Sequence, residues 1–148
     1  MEILKRFYML DCKAMATPID NNLKMLSDET FELVDMTHYR QIIGSLMYLT
    51  NTRLDICFAV NTLSQYLVKT RHVQLIAAEH VMRYLKCTIE FDLYYVGYHD
   101  YKLYGYTDSY WEGRTEDRKS TLGGCYCLGS SMISWFSSKQ SKVSLSTT

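Results

Sequence analysis

The hydrophobic period of this chain changes once, near residue 90. Before that point apolar residues recur at helical spacing, and after it they alternate. Tyr39, Ile42, Ile43, Leu46, Met47 and Leu49 mark one amphipathic helix, with Thr37 as its expected N-cap. Ile56, Ala59, Val60, Leu63, Tyr66 and Leu67 mark a second, with Asp55 as its expected cap. Leu75, Ala78, Met82 and Leu85 mark a third, widened by Val81 and Tyr84. Beyond Ile89, Phe91, Leu93 and Tyr95 alternate with Asp92, Tyr94 and Val96. Tyr101 to Thr107 alternates again, and Leu122 to Leu128 and Met132 to Phe136 read as two strands about a Gly129-Ser130-Ser131 turn. A helix and a strand place a stripe of apolar residues on one face only at their own periods. The pattern therefore predicts an α+β fold, a three-helix unit followed by an antiparallel β-sheet.

Ahead of the helices, Ile3, Leu4, Phe7 and Tyr8 suit the end of a further helix. Thr17-Pro18 and Asp20-Asn21-Asn22 then break regular structure. At 148 residues, 47% apolar and 22% charged, the composition is that of a globular protein rather than a disordered one. No apolar run approaches the ~20 residues of a membrane-spanning helix. Glu2, Lys5 and Arg6 interrupt any signal-peptide core, so an intracellular location, cytoplasm or nucleus, is expected. Sixteen basic residues balance sixteen acidic ones. A free-standing nucleic-acid binder carries a basic surplus, so such a role requires a local patch or a larger parent protein.

The five cysteines are Cys12, Cys57, Cys87, Cys125 and Cys127. Only the last two are close, as C-x-C, which a strand points to one face. Zinc sites favour C-x2-C with a second ligand pair, which is absent. Free, mostly buried thiols are expected. His38, His72, His80 and His99 share no metal-ligand spacing with them.

No P-loop, dinucleotide-binding glycine motif, zinc-protease motif or serine nucleophile elbow is present. What remains is a strand running into an acid, Tyr104-Gly105-Tyr106-Thr107-Asp108-Ser109. A carboxylate there suits a metal ligand for phosphoryl chemistry, but on local sequence alone Asp108 is expected to start a turn. Tyr94, Tyr95, Tyr98, Tyr101, Tyr104 and Tyr106 suit base stacking, but alternating aromatics are expected as half-buried strand residues. Trp111 and Trp135 are assigned to packing.

Longer words carry more. Tyr39-Arg40-Gln41-Ile42-Ile43-Gly44-Ser45-Leu46-Met47-Tyr48-Leu49-Thr50 is followed by Thr52-Arg53-Leu54-Asp55-Ile56 and Phe58-Ala59-Val60. Arg83-Tyr84-Leu85-Lys86, Gly105-Tyr106-Thr107-Asp108-Ser109 and Asp117-Arg118-Lys119-Ser120-Thr121 come next. Ile133-Ser134-Trp135, Ser138-Lys139-Gln140 and Val143-Ser144-Leu145-Ser146 close the series. In this order and spacing the chain resembles the Pol polyprotein of copia-type LTR retrotransposons, from the end of the reverse transcriptase into the ribonuclease H domain.

The resemblance implies three regions. Residues 1–36 would close the polymerase palm, 37–90 would form the helical thumb or connection, and 91–148 would begin an RNase H-like domain. The parent copies RNA into DNA and hydrolyses the RNA of RNA–DNA hybrids with Mg2+. Asp108 would be the first catalytic carboxylate and a metal ligand, and Ser109, Arg118 and Lys119 would lie against the nucleic acid. The implied partners are an RNA–DNA hybrid or primer–template duplex and other Pol segments, with no membrane. The family's Glu-Ala-Glu-Tyr word would follow Thr148, so a truncated or relic fragment, inactive alone, is expected. Leu54 stands where the family has proline, Tyr110 where it has an acid, and Gly124 and Cys125 where it has an aromatic and an aliphatic residue. The alternative is a non-catalytic intracellular interaction module derived from the retroelement.

Overall fold

The architecture comes from a computed structural model, which describes residues 2–20, 35–68, 70–97, 101–110 and 121–139 (Ser109, Tyr110, Thr121 and Lys139 by backbone alone). The chain divides into two compact units, Met1–Phe91 and Asp92–Thr148. The first contains α1 (Glu2–Arg6), α2 (Met36–Leu49), a 3-10 turn (Leu54–Ile56), α3 (Cys57–Ser64) and α4 (His72–Cys87). The second contains β1 (Leu103–Tyr110), β2 (Thr121–Leu128) and β3 (Ser131–Lys139). Among the described residues the class is α+β.

The helical unit is built around the stripes read from the sequence. Tyr39, Ile42, Ile43 and Leu46 of α2 meet Ala59, Val60 and Leu63 of α3 and Ala77, Ala78, Val81, Met82 and Leu85 of α4, with Ile56 and Leu4 completing the cluster. Full burial of one such aliphatic side chain contributes roughly 1.5–3 kcal/mol. Tyr39 is fully buried, and its hydroxyl donates to the Leu63 carbonyl at 2.8 Å, so the ring is packed and its polar end satisfied. Burial pushes that phenol well above its ordinary pKa.

The helix ends differ from the expected ones. The cap of α2 is Asp35, not Thr37: its Oδ1 accepts from Thr37 N–H at 2.8 Å and His38 N–H at 3.4 Å. A carboxylate accepts free helix N–H groups more strongly than a hydroxyl, and these bonds hold the Asp35 carboxyl below its usual pKa. Asp55 caps nothing with its side chain, since a 3-10 turn stands where the second helix was expected to begin. Helix α3 ends at Ser64, leaving Tyr66 and Leu67 to pack on the core from the turn beyond. Before α4, the Gln74 side chain reaches back to accept the Arg71 N–H at 2.6 Å. Met47, expected on the buried stripe of α2, is exposed.

The sheet is an antiparallel meander in the order β1-β2-β3. Its β2–β3 connection is the two-residue loop Gly129-Ser130, with Gly129 at φ 59°, the positive angle a tight hairpin needs in first position. One face carries Tyr104, Tyr106, Asp108, Gly123, Cys125, Cys127, Met132, Trp135 and Ser137 by register. On the other, Tyr126 and Phe136 stack with ring centroids 6.4 Å apart. Gly124 makes that possible, because a Cβ there would overlap the Phe136 ring.

Three expectations for this region fail. Phe91 to Val96 is not a strand. Its polar groups bond instead to the hairpin end: Tyr95 OH donates to Met132 O at 2.9 Å, Val96 N–H to Ser130 Oγ at 3.4 Å, and Ser131 Oγ to Tyr94 O. The tyrosines at 94, 95, 101, 104 and 106 are exposed, not half-buried, because every buried hydrophobic side chain among the described residues belongs to the helical unit. Tyr98 lies outside the described residues. The cysteines are all free, as expected, but only Cys57 is buried.

Candidate functional site

Asp108 lies within β1 rather than at its end, since the strand continues to Tyr110. Its partner in register is Gly123, which in turn faces Ser137 on β3. The carboxylate is exposed, and the absence of a side chain at Gly123 leaves its flank open. A Cβ built at Gly123 would meet only the Asp108 backbone oxygen, at 3.8 Å. The arrangement offers one accessible hard oxygen donor beside a gap in the sheet surface, which suits a magnesium or calcium ligand position. Among the described residues no three His, Cys, Asp or Glu side chains gather as a metal site. Ser109 follows on β1 and is described by backbone alone, and Arg118 and Lys119 lie outside the described residues. Of the four predicted residues, Asp108 is thus the one whose side chain lies among the described residues.

A second polar cluster, missed from sequence, joins two of the words quoted above. Arg53 donates to both carboxylate oxygens of Asp55, Nε to Oδ1 at 3.0 Å and NH2 to Oδ2 at 2.7 Å. The same guanidinium donates to Thr88 Oγ1 at 2.6 Å and to the Thr88 carbonyl at 3.3 Å, closing the C-terminus of α4. Tyr84 OH donates to Asp55 Oδ2 at 2.7 Å, and the guanidinium carbon sits 5.8 Å from the Tyr84 ring centroid. Burial alone would raise the Asp55 pKa, but the bonds from Arg53 and Tyr84 and the guanidinium charge outweigh it and hold it low. The Asp55 bond in turn raises Arg53. The signal available in the sequence was Arg-x-Asp just before an apolar stripe, which reads more simply as a helix cap.

The basic residues of α4 are also engaged within the chain. Arg83 pairs with Glu79 at 3.3 Å, and Lys86 Nζ donates to the Cys12 carbonyl at 2.6 Å. Met15 N–H donates to the Arg83 carbonyl at 3.3 Å, and His80 Nε2 lies 2.9 Å from the Thr17 carbonyl. This face of α4 therefore carries the 12–17 segment. On α2, Gly44 has nothing within 4 Å of a Cβ position, and Gln41, Met47 and Tyr48 are exposed around it.

No protein-family profile matches the chain, and no solved structure matches it significantly. Among curated proteins it is 39% identical over 147 residues to an uncharacterized mitochondrial protein of Arabidopsis thaliana, covering 99% of this chain and 61% of that protein. It is 38% identical over 148 residues to the retrovirus-related Pol polyprotein from transposon RE2 of the same plant, covering all of this chain and 10% of the polyprotein. The Pol polyprotein from transposon RE1 is 36% identical over 148 residues, again all of this chain and 10% of the polyprotein. The chain thus spans less than two thirds of these relatives' lengths. Its sequence belongs to the copia-type retrovirus-related Pol family and corresponds to one segment of those polyproteins.

Proposed function

We propose that this segment comes from the reverse transcriptase–ribonuclease H region of a Pol polyprotein. The helical unit braces a primer–template duplex as a thumb or connection, and the sheet supplies the first strands of an RNase H-like domain. The observation that carries this reading is Asp108, an exposed carboxylate on β1 with an open flank at Gly123. Asp108 would hold one coordination position of a Mg2+ ion, which when bound supplies charge stabilisation for phosphodiester hydrolysis. Two ions about 4 Å apart require several carboxylates. The isolated chain is therefore expected to bind Mg2+ weakly and to leave hybrid intact. Ser109, Arg118 and Lys119 would contact the nucleic-acid backbone. On the helical side, the open surface around Gly44 suits close approach of a duplex, because a missing Cβ lets another backbone come near.

The test is a chimera in which this segment replaces the aligned part of the RE2 polyprotein. Asp108→Asn is expected to abolish hybrid cleavage and spare DNA synthesis, and Gly44→Leu to reduce synthesis on a primed template and spare cleavage. A chimera whose cleavage survives Asp108→Asn removes the catalytic assignment. The alternative, a non-catalytic interaction module, draws on the exposed tyrosines and Trp135 of the sheet, and predicts normal chimera cleavage in the presence of Asp108→Asn.

A further inference from the structure

The C-x-C pair at Cys125 and Cys127 lies outside the function proposed above. Alternation on β2 puts both thiols on one face, with Cα atoms roughly 6.6 Å apart by strand rise. The register places Met132 of β3 directly opposite Cys127 and Trp135 directly opposite Cys125. Three sulfur donors, two thiols and one thioether, therefore share one patch of the sheet. Both thiols are free and half-buried, and Met132 is half-buried beside them. Neither thiol carries a hydrogen bond or ion pair among the described residues, so neither is held by another interaction.

We propose that Cys125, Cys127 and Met132 form a binding site for a soft monovalent cation, Cu(I). Thiolate and thioether donors select Cu(I), whereas zinc sites use four donors drawn from Cys, His and carboxylates. No third His, Cys, Asp or Glu joins the pair among the described residues, so the donor set is all sulfur and low in number. Binding releases the two thiol protons, forms two copper–thiolate bonds and one copper–thioether contact, and leaves copper and sulfur in their original oxidation states. Trp135 stands opposite Cys125 by register, which puts an indole beside the patch, and an indole face favours a cation.

The full reduced chain, kept anaerobic, is titrated with Cu(I) against a chromophoric Cu(I) chelator, and cysteine alkylation is mapped by peptide mass. One equivalent is expected to bind and to protect Cys125 and Cys127 while Cys12 and Cys87 remain reactive. Cys125→Ser and Cys127→Ser are each expected to lose the stoichiometric binding, with circular dichroism confirming an unchanged fold. Met132→Leu is expected to weaken binding without changing the stoichiometry, and excess Zn2+ not to displace the copper. Protection of Cys12 or Cys87 in place of the pair, or protection of neither member in the unmodified chain, overturns the assignment. So does full-affinity binding by either serine variant.

Discussion

Tyr8 closes α1 in the left-handed region, at φ 56°, a position where glycine is usual. The Met9 N–H reaches the Leu4 carbonyl at 2.8 Å and the Tyr8 N–H the Lys5 carbonyl at 3.2 Å, the paired bonds of a Schellman end. Tyr8 is almost wholly exposed, so its ring gains nothing for the strain. Tyr8→Gly is expected to stabilise the helical unit by up to about 1 kcal/mol, read as a higher melting temperature. Gly44 is the opposite case: it sits inside α2 with open space at its Cβ position, so Gly44→Ala is expected to stabilise by about 1 kcal/mol. Asp55 sets a pH dependence. Its folded-state pKa lies below the unfolded value near 3.8, so its contribution is present above that value and is lost as pH falls through the folded one. Acid melting below about pH 4 should therefore carry a component that Asp55→Asn removes. Arg53→Ala should cost about 1–2 kcal/mol at neutral pH, a figure reduced because the pair is partly exposed. None of these three roles was legible in sequence. A left-handed tyrosine leaves no residue-type signal, and the Arg53–Asp55–Tyr84 contact joins positions 29 residues apart that only the fold brings together.

At the scale of elements, legibility followed burial. The stripes of α2, α3 and α4 were readable because Ile42, Ile43, Leu46, Val60, Leu63, Val81 and Met82 are buried on one side, and burial is what imposes the 3.6-residue period. Phe91 to Val96 alternates just as clearly, yet it lies exposed and bonds to hairpin side chains and backbone, so its alternation records no buried face. The N-cap was misplaced by two residues because Asp35 is separated from the apolar stripe by Met36, and Thr37 stands nearer to it. Gly124 tests the account of the sheet. A glycine inside a strand ordinarily weakens it, but here the Phe136 ring occupies the space a Cβ would take. Gly124→Val should displace that ring from Tyr126, seen as loss of the Tyr126–Phe136 cross-peaks in a proton NMR spectrum. An unchanged ring contact in the valine variant contradicts the packing described.

At the scale of the whole molecule, the two units have unequal means of support. All the buried hydrophobic side chains among the described residues lie in Met1–Phe91, while the sheet of Asp92–Thr148 exposes Tyr104, Tyr106, Ile133 and Trp135. The helical unit produced alone should melt cooperatively, whereas the sheet segment alone should not, a difference that calorimetry reads directly. The α+β class was legible because the change of period near residue 90 coincides with the division of the chain after Phe91. Asp108 is singled out only by the word around it, since a single exposed acid on a strand has no chemical signature of its own. The central claim is that Asp108 serves phosphodiester hydrolysis within a Pol polyprotein, and hybrid cleavage by the RE2 chimera tests it most directly. A labelled RNA strand paired to DNA should be cut by the chimera with Mg2+ and left intact by its Asp108→Asn form, with DNA synthesis equal in both. Equal cleavage by the two forms would contradict the account.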